Sequence, residues 1–468
     1  MNAPEVLERP AITAAVARLV EKATLESIDA NLIAAAKRSF VDAIGVAIAG
    51  SRQPGPAILG DYVAQLSAAP RASLIGRNFR SAPSLAAWVN GTAADVLGWA
   101  DFSVVQMNHP SAAVAPAVLA MAESERLHGR DVLLAYILGV EVSNKLAQGV
   151  KPGFHVRGWH ALGVCNTFGA AAACSRLLGF DADRISNALG IAGAEASGMK
   201  ASMVTMTKSY VAGAAARNGI ESALLTRRGF TGPRNVFEGR DGFLQTFGGN
   251  VYGEQVLAHF GDPYEFESPG LTLKLFPSCT HTHTAIAAAL NLKARHGVTA
   301  DQVQSITCSV TPVVFDFLAW PSPKDAKEAK FSMQFCVAAA FLNSTVELRH
   351  FTDAAVADPA MLDFMARVSM VISPEFAALG YNPPNAPSGC IMTLALKDGT
   401  ELVERVEKGP WEPPNVPTRE SLQQKFLGAA APVIGETNAE EAFHLSETIE
   451  TASDVEQLMS LLRGRATT

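Results

Sequence analysis

The stretch Met206-Thr207-Lys208-Ser209-Tyr210 holds one lysine among small and apolar residues, and the run Val211-Ala-Gly-Ala-Ala-Ala-Arg217 follows it. Small residues let neighbouring elements approach and exclude water, so an ammonium there loses hydration. That is one route to a catalytic base or an anion clamp near neutral pH. The alternative for Lys208 is a side chain that carries its ammonium to the surface. His109 is a second candidate, in a stretch without a clean period, and Pro110 restricts its backbone to extended conformations. A loop histidine held in this way is either catalytic or an ordinary surface residue. His160 follows Trp159 in a glycine-containing loop. Asp42, among apolar neighbours, reads as a satisfied polar contact in the core.

Cys279-Thr-His281-Thr-His283 comes nearest to a metal signature. In an extended segment these three side chains share one face, and three such ligands suffice for zinc. Ala285 onward has a helical pattern, however, which places His283 at a helix start with no carboxylate or second cysteine nearby in sequence. A helix N-terminus with a histidine favours a carboxylate ligand, so an anion site is the better reading and no metal is expected. The glycine-rich phosphate cradles, HExxH and GxSxG are all absent.

These candidates need a large scaffold. At 468 residues the chain has room for two or three domains, and 48% hydrophobic against 18% charged residues supplies a large core. Abundant alanine and few aromatics favour closely packed helices. The apolar spacing predicts helices over 11–50, 84–97, 112–127, 131–148, 167–179 and 181–193. Residues 51–83 read as looser, with Pro54, Pro56, Pro70 and Pro83 as breakers. The texture changes near Pro269-Gly270. Residues 271–276, 305–312, 391–397 and 401–406 alternate as strands, with Asp398-Gly399 as a hairpin turn. Helices are expected at 285–295, 331–342 and through the tail 418–466. The fold class is therefore mainly α: a large all-helical domain from both chain ends (1–270 with 409–468) and a smaller α/β domain (271–408).

A net charge of −7 argues against general nucleic-acid binding. No apolar run is long enough to span a bilayer, and the first ten residues lack a signal-peptide pattern. The six scattered cysteines, without a CxxC pair, read as free thiols, which points to the cytoplasm.

The ordered set of segments resembles the MmgE/PrpD family. It comprises Asn90-Gly-Thr-Ala-Ala94, His109-Pro-Ser111, Gly158-Trp-His160, Thr167-Phe-Gly-Ala-Ala-Ala172, Met206-Thr-Lys208 with Ala212-Gly213, Phe237-Glu-Gly239, Gly242-Phe243, Phe276-Pro277, His283, and Glu328-Ala-Lys-Phe-Ser332 leading into Cys336. The resemblance spans most of the chain. It implies a homodimer, no cofactor, a small di- or tricarboxylate as substrate, and an active site between the domains. It also places His109, His160 and Lys208 at positions that line the family's site.

One departure bears on the reaction. Dehydratase- and decarboxylase-like members carry the acidic run Asp-Phe-Asp-Asp-Thr before the His-Pro-Ser segment. Here the matching run reads Gly98-Trp99-Ala100-Asp101-Phe102, and the segment to His109 is one residue longer. The aspartate expected shortly after His283 is Ala287. Proton removal beside a carboxylate leaves charge on the carboxylate oxygens, which cationic donors stabilise. A dehydratase must also protonate a leaving hydroxyl; an epimerase need only return the proton on the opposite face. The missing acid therefore points to a cofactor-independent epimerase of a dicarboxylate, with iminodisuccinate as the expected substrate. Lys208 and His109 are the expected acid/base pair, with His160 stabilising the intermediate and Lys274, His283 and Ser332 binding carboxylates. The alternatives are a lyase in which Asp101 replaces the lost acid, and a polycarboxylate-binding protein without turnover.

Overall fold

The computed structural model describes residues 11–150, 153–248, 259–378 and 388–464. They form two compact units, one drawn from residues 1–96, 106–271 and 420–468 and the other from 97–105 and 272–419. The first is helical and the second is α/β, so the protein is mainly α with a smaller α/β part.

In the helical unit the chain runs through α1 (Ile12–Lys22), α2 (Ala30–Gly50), α3 (Pro54–Gln65), α4 (Pro83–Val96), α5 (Ser111–Glu125), α6 (Gly129–Gly149), α7 (Gly153–Val156), α8 (Ala161–Leu177), α9 (Ala182–Glu195), α10 (Met206–Arg227) and α11 (Phe243–Gly248). The tail adds Arg419–Ile434, Glu436–Glu447 and Glu456–Leu462. Helix α8 is the hub, packed against α5, α6, α9 and α10. Nearly all of its side chains are buried, which its Ala, Gly, Cys and Thr content permits on every face.

Three local features depart from the sequence reading. The helix expected over 11–50 is two helices, because Leu25–Ser27 forms a tight turn and Asp29 caps α2 by accepting from Asn31 N at 2.7 Å. Pro54 opens α3 instead of breaking it, since a first-turn proline lacks only an N–H that the helix leaves unpaired. A short antiparallel ribbon, β1 (Ala72–Ser73) with β2 (Arg80–Ser81), interrupts the helices. Asp42 does sit in the core, paired with Lys425 Nζ at 2.6 Å, and both side chains are buried.

The α/β unit is built on a four-stranded sheet of β3 (Val303–Val310), β4 (Val368–Ile372), β5 (Cys390–Leu396) and β6 (Glu401–Val406) in the order β4-β3-β5-β6. Strands β3 and β4 are parallel; β3–β5 and β5–β6 are antiparallel. The alternating set Ile306, Cys308, Val310 on β3 and Cys390, Met392, Leu394 on β5 is buried together with α12 (His283–His296) and α13 (Met333–Asn343). Residues 271–276 do not form the expected strand. Their alternation meets a partner at one bridge only, Phe102 with Thr272, through two N–H···O bonds of 2.9 Å. No described helix is long and apolar enough to cross a membrane.

Candidate active site at three helix N-termini

The candidate residues divide between the units. His109, His160 and Lys208 belong to the helical unit, and Asp101, Lys274, His283 and Ser332 to the α/β unit.

In the helical unit, three neighbouring helices present the candidates from the same end. Asn166 Nδ2 donates to the His109 carbonyl at 3.0 Å, and two turns along Cys174 Sγ faces the Ala117 carbonyl at 4.0 Å, so α5 and α8 run parallel. A Cβ on Gly163 would lie 2.5 Å from Val211 Cγ1, and one on Gly219 would lie 2.4 Å from Ala170 Cβ, so α8 and α10 also run parallel. The glycines make these approaches possible. His109 precedes the first turn of α5, His160 is the N-cap residue of α8, and Lys208 lies in the first turn of α10. Helix N-termini expose unpaired N–H groups and carry partial positive charge, so this end of the unit favours an anion.

The loops that carry the histidines are pinned by groups the sequence did not advertise. Asn108 Nδ2 donates to Asn144 Oδ1 at 2.9 Å and to Asn166 Oδ1 at 2.7 Å, all three side chains being buried. The segment 155–160 pairs with 198–200: Trp159 bridges Met199, His160 N donates to Gly198 O at 3.0 Å, and Lys200 N donates to Gly158 O at 2.8 Å. Burial, then the positive charges of Lys208, His155 and Lys200, push the His160 imidazole down to about 3. His160 is thus a neutral imidazole among cations, able to donate from one nitrogen and accept at the other.

Lys208 has surroundings that its sequence neighbours do not show. It is half-buried, and its Nζ donates to Asp95 Oδ1 at 2.6 Å across from α4. The ammonium is therefore an ion-paired, positioned donor. Behind the His109 loop lies a buried charge cluster: Lys145 Nζ donates to Pro263 O at 3.0 Å, and its ammonium lies 3.7 Å from Glu265 and 4.0 Å from Glu141. Gln106 Nε2 donates to Glu265 Oε1 at 3.3 Å. Burial pushes Glu141 up to about 7 and Glu265 up to about 8. Glu141 accepts from Gly261 N and Glu265 N, which favours its ionised form, so Glu265 holds the proton.

In the α/β unit, the buried Lys274 donates to Gly98 O at 2.7 Å, and its ammonium lies 5.9 Å from the Phe102 ring. Asp101 is buried beside that bridge segment. His283 opens α12 and is buried, its ring 5.2 Å from Phe276. His281 Nδ1 hydrogen-bonds Ser388 Oγ at 2.8 Å, and burial followed by the Lys274 charge pushes its imidazole down to about 4. Ser332 is fully buried as the N-cap of α13, accepting from Phe335 N at 3.2 Å, a role that supports the helix. Among the described residues no group of three or more His, Cys, Asp and Glu side chains is placed to hold a metal ion.

The helical unit thus places cationic and neutral donors at the N-termini of three parallel helices. The chain belongs to the MmgE/PrpD family: its N-terminal domain model matches residues 14–254 and its C-terminal domain model residues 276–451. Cis-aconitate decarboxylase of Mus musculus is 27% identical over 469 residues, covering 97% of this chain and 93% of that protein. Cis-aconitate decarboxylase of Aspergillus terreus is 25% identical over 478 residues, covering 96% of each chain. The 2-methylcitrate dehydratase of Cupriavidus necator is 23% identical over 411 residues, covering 80% of each.

Proposed function

We propose that this protein is a lyase of a small di- or tricarboxylate, working by proton transfer beside a carboxylate without a metal or redox cofactor. The observation that carries the reading is the gathering of His109, His160 and Lys208 at the N-termini of parallel helices α5, α8 and α10. That arrangement supplies positive potential, an ion-paired ammonium and an uncharged imidazole for a carboxylate whose charge grows in the transition state. Decarboxylation breaks a C–C bond, releases carbon dioxide and returns a proton to carbon. Dehydration removes an α-proton and a hydroxide. Both leave or pass through charge on carboxylate oxygens, and both fit the relatives' printed activities.

Lys208 and the neutral His160 imidazole stabilise that charge, and His109 exchanges the proton. Within the α/β unit, Lys274 and His283 are candidates for binding a carboxylate, and Ser332 caps α13. A second reading, epimerisation of a dicarboxylate such as iminodisuccinate, is favoured by the run Gly98-Trp99-Ala100-Asp101-Phe102, which keeps one acid. Both readings take the protein as a homodimer, which light scattering of the purified protein measures.

Proton NMR in D2O separates the two readings. The substrates are cis-aconitate, 2-methylcitrate and iminodisuccinate stereoisomers, each with the purified enzyme. Carbon dioxide release or a new olefinic signal establishes the lyase. Deuterium at an α-carbon with stereoisomer interconversion establishes the epimerase and overturns the lyase. Silence from all three removes these substrates from both readings.

A further inference from the structure

Asp95 stands outside the residues that sequence singled out. It lies in the last turn of α4, one residue from its end, and its side chain is fully buried. One carboxylate oxygen accepts from Lys208 Nζ at 2.6 Å; the other, Oδ2, is buried with no protein hydrogen-bond donor. A buried carboxylate with half of its acceptor capacity unused is costly, and its retention asks for a reason.

Helix packing sets the encounter. A Cβ on Gly213 would lie 2.0 Å from Trp88 O, and one on Gly91 would lie 2.8 Å from Gly213 Cα, so α4 and α10 cross in contact. The helices are antiparallel there: Arg217 stacks over Trp88 at 4.5 Å on one side of the crossing, and Lys208 meets Asp95 on the other. The lysine so held is one of the charges acting on His160, with Lys200 as the other lysine of the group.

We infer that Asp95 is a positioning residue that fixes the Lys208 ammonium and sets the charge of the substrate accepted at these helix N-termini. The Asp95 carboxylate, in contact with Lys208, offsets one of the two charges of Lys200 and Lys208. A substrate bringing an additional carboxylate meets that negative charge, so Asp95 favours dicarboxylates over tricarboxylates. This rests on the carboxylate-site reading above. It also gives the departure at Gly98–Phe102 a counterpart in sequence, because a carboxylate is present three residues before Gly98.

The test compares glutarate with tricarballylate, which differ by one carboxylate, by calorimetric titration of the full-length protein. The variant is Asp95→Asn, which keeps an oxygen for Lys208 and removes the charge. A second variant, Asp95→Asn with Lys208→Gln, removes the pair as a unit and keeps a hydrogen-bonded contact if the single variant folds poorly. Acetylation of Lys208, followed by peptide mass spectrometry, reports the ion pair independently of any ligand.

The expected result has three parts. Asp95→Asn shifts the affinity ratio toward tricarballylate by about tenfold, as removing a unit charge several ångströms away allows. Lys208 is acetylated several-fold faster. On the substrate established by NMR, kcat falls more than KM changes. A purely structural pair would lower thermal stability and leave the affinity ratio unmoved; that outcome overturns the inference while wild-type binding upholds the carboxylate site. Wild-type protein that binds neither ligand overturns both, and the acetylation rates then show a pair that serves packing alone.

Discussion

Gly91 and Gly213 touch where α4 crosses α10; a Cβ on either would fall inside 3 Å of the other helix's backbone. This contact decides where Lys208 points, because Lys208 and Asp95 sit about one turn beyond it on their two helices. Gly213→Ala forces the helices apart. It is expected to destabilise the protein by about 1–3 kcal/mol. Turnover should fall further than stability explains, since the 2.6 Å ion pair opens. Urea denaturation and steady-state rates at a temperature where the variant is fully folded measure the two effects. A stable variant with wild-type turnover would show that the crossing does not set the lysine's position.

Asn166 joins two supports of the His109 loop, accepting from Asn108 and donating to the His109 carbonyl. Asn166→Ala removes both bonds at a buried site, with an expected loss of about 1–3 kcal/mol. Because a mispositioned acid/base group loses rate steeply, kcat should drop by roughly tenfold or more with a smaller change in KM. Equal kcat in the folded variant would mean that the asparagine network serves only packing.

Glu265 gives a pH signature with a definite sign. Its acid is pushed up to about 8 in the folded protein, against an ordinary value of 4.5. Between those values the unfolded chain has released the proton and the folded chain has kept it, so stability falls as pH rises from about 4.5 to 8. One such proton contributes a slope of up to about 1.4 kcal/mol per pH unit. Glu265→Gln is neutral at every pH and keeps an oxygen for Gln106. The variant's urea midpoint should fall less between pH 5 and 8 than that of the wild type. Parallel curves would show that Glu265 is ionised in the fold.

The Asp42–Lys425 pair ties α2 to the tail helix Arg419–Ile434 in the core. Lys425→Met strands a buried carboxylate and is expected to cost about 3–5 kcal/mol. Adding Asp42→Asn should recover much of that loss, and a double-mutant cycle by urea denaturation reads the coupling. Additive effects would mean that the two charges are not paired in solution.

The sequence carries some of this more openly than the rest. Helix α8 is legible because its small residues run without interruption, and β5 with β6 because Asp398-Gly399 marks their turn. His109, His160 and Lys208 are legible as residue types able to move protons or bind anions. That they come from parallel helices is not, since it follows from where Gly163 and Gly219 let α10 approach α8. Asp95 was missed because an aspartate near a helix end reads as an ordinary solvated residue, and its partner lies on a helix more than a hundred positions away. Strand β4 was missed because it is a sheet edge whose Val371 and Ile372 are exposed, which removes the alternating pattern. Residues 271–276 show the reverse case, an alternating pattern with a single bridge for a partner.

The central claim is that the three helix N-termini in the helical unit form the carboxylate site. The most direct measurement is the affinity of glutarate for the wild type and for Lys208→Ala and His160→Ala, by calorimetry with thermal melts to confirm folding. The account predicts saturable binding by the wild type and a loss of about tenfold or more in each folded variant, as expected for removing a charged or buried hydrogen-bonding partner. Undiminished binding in both variants would contradict it and move the site elsewhere in the protein.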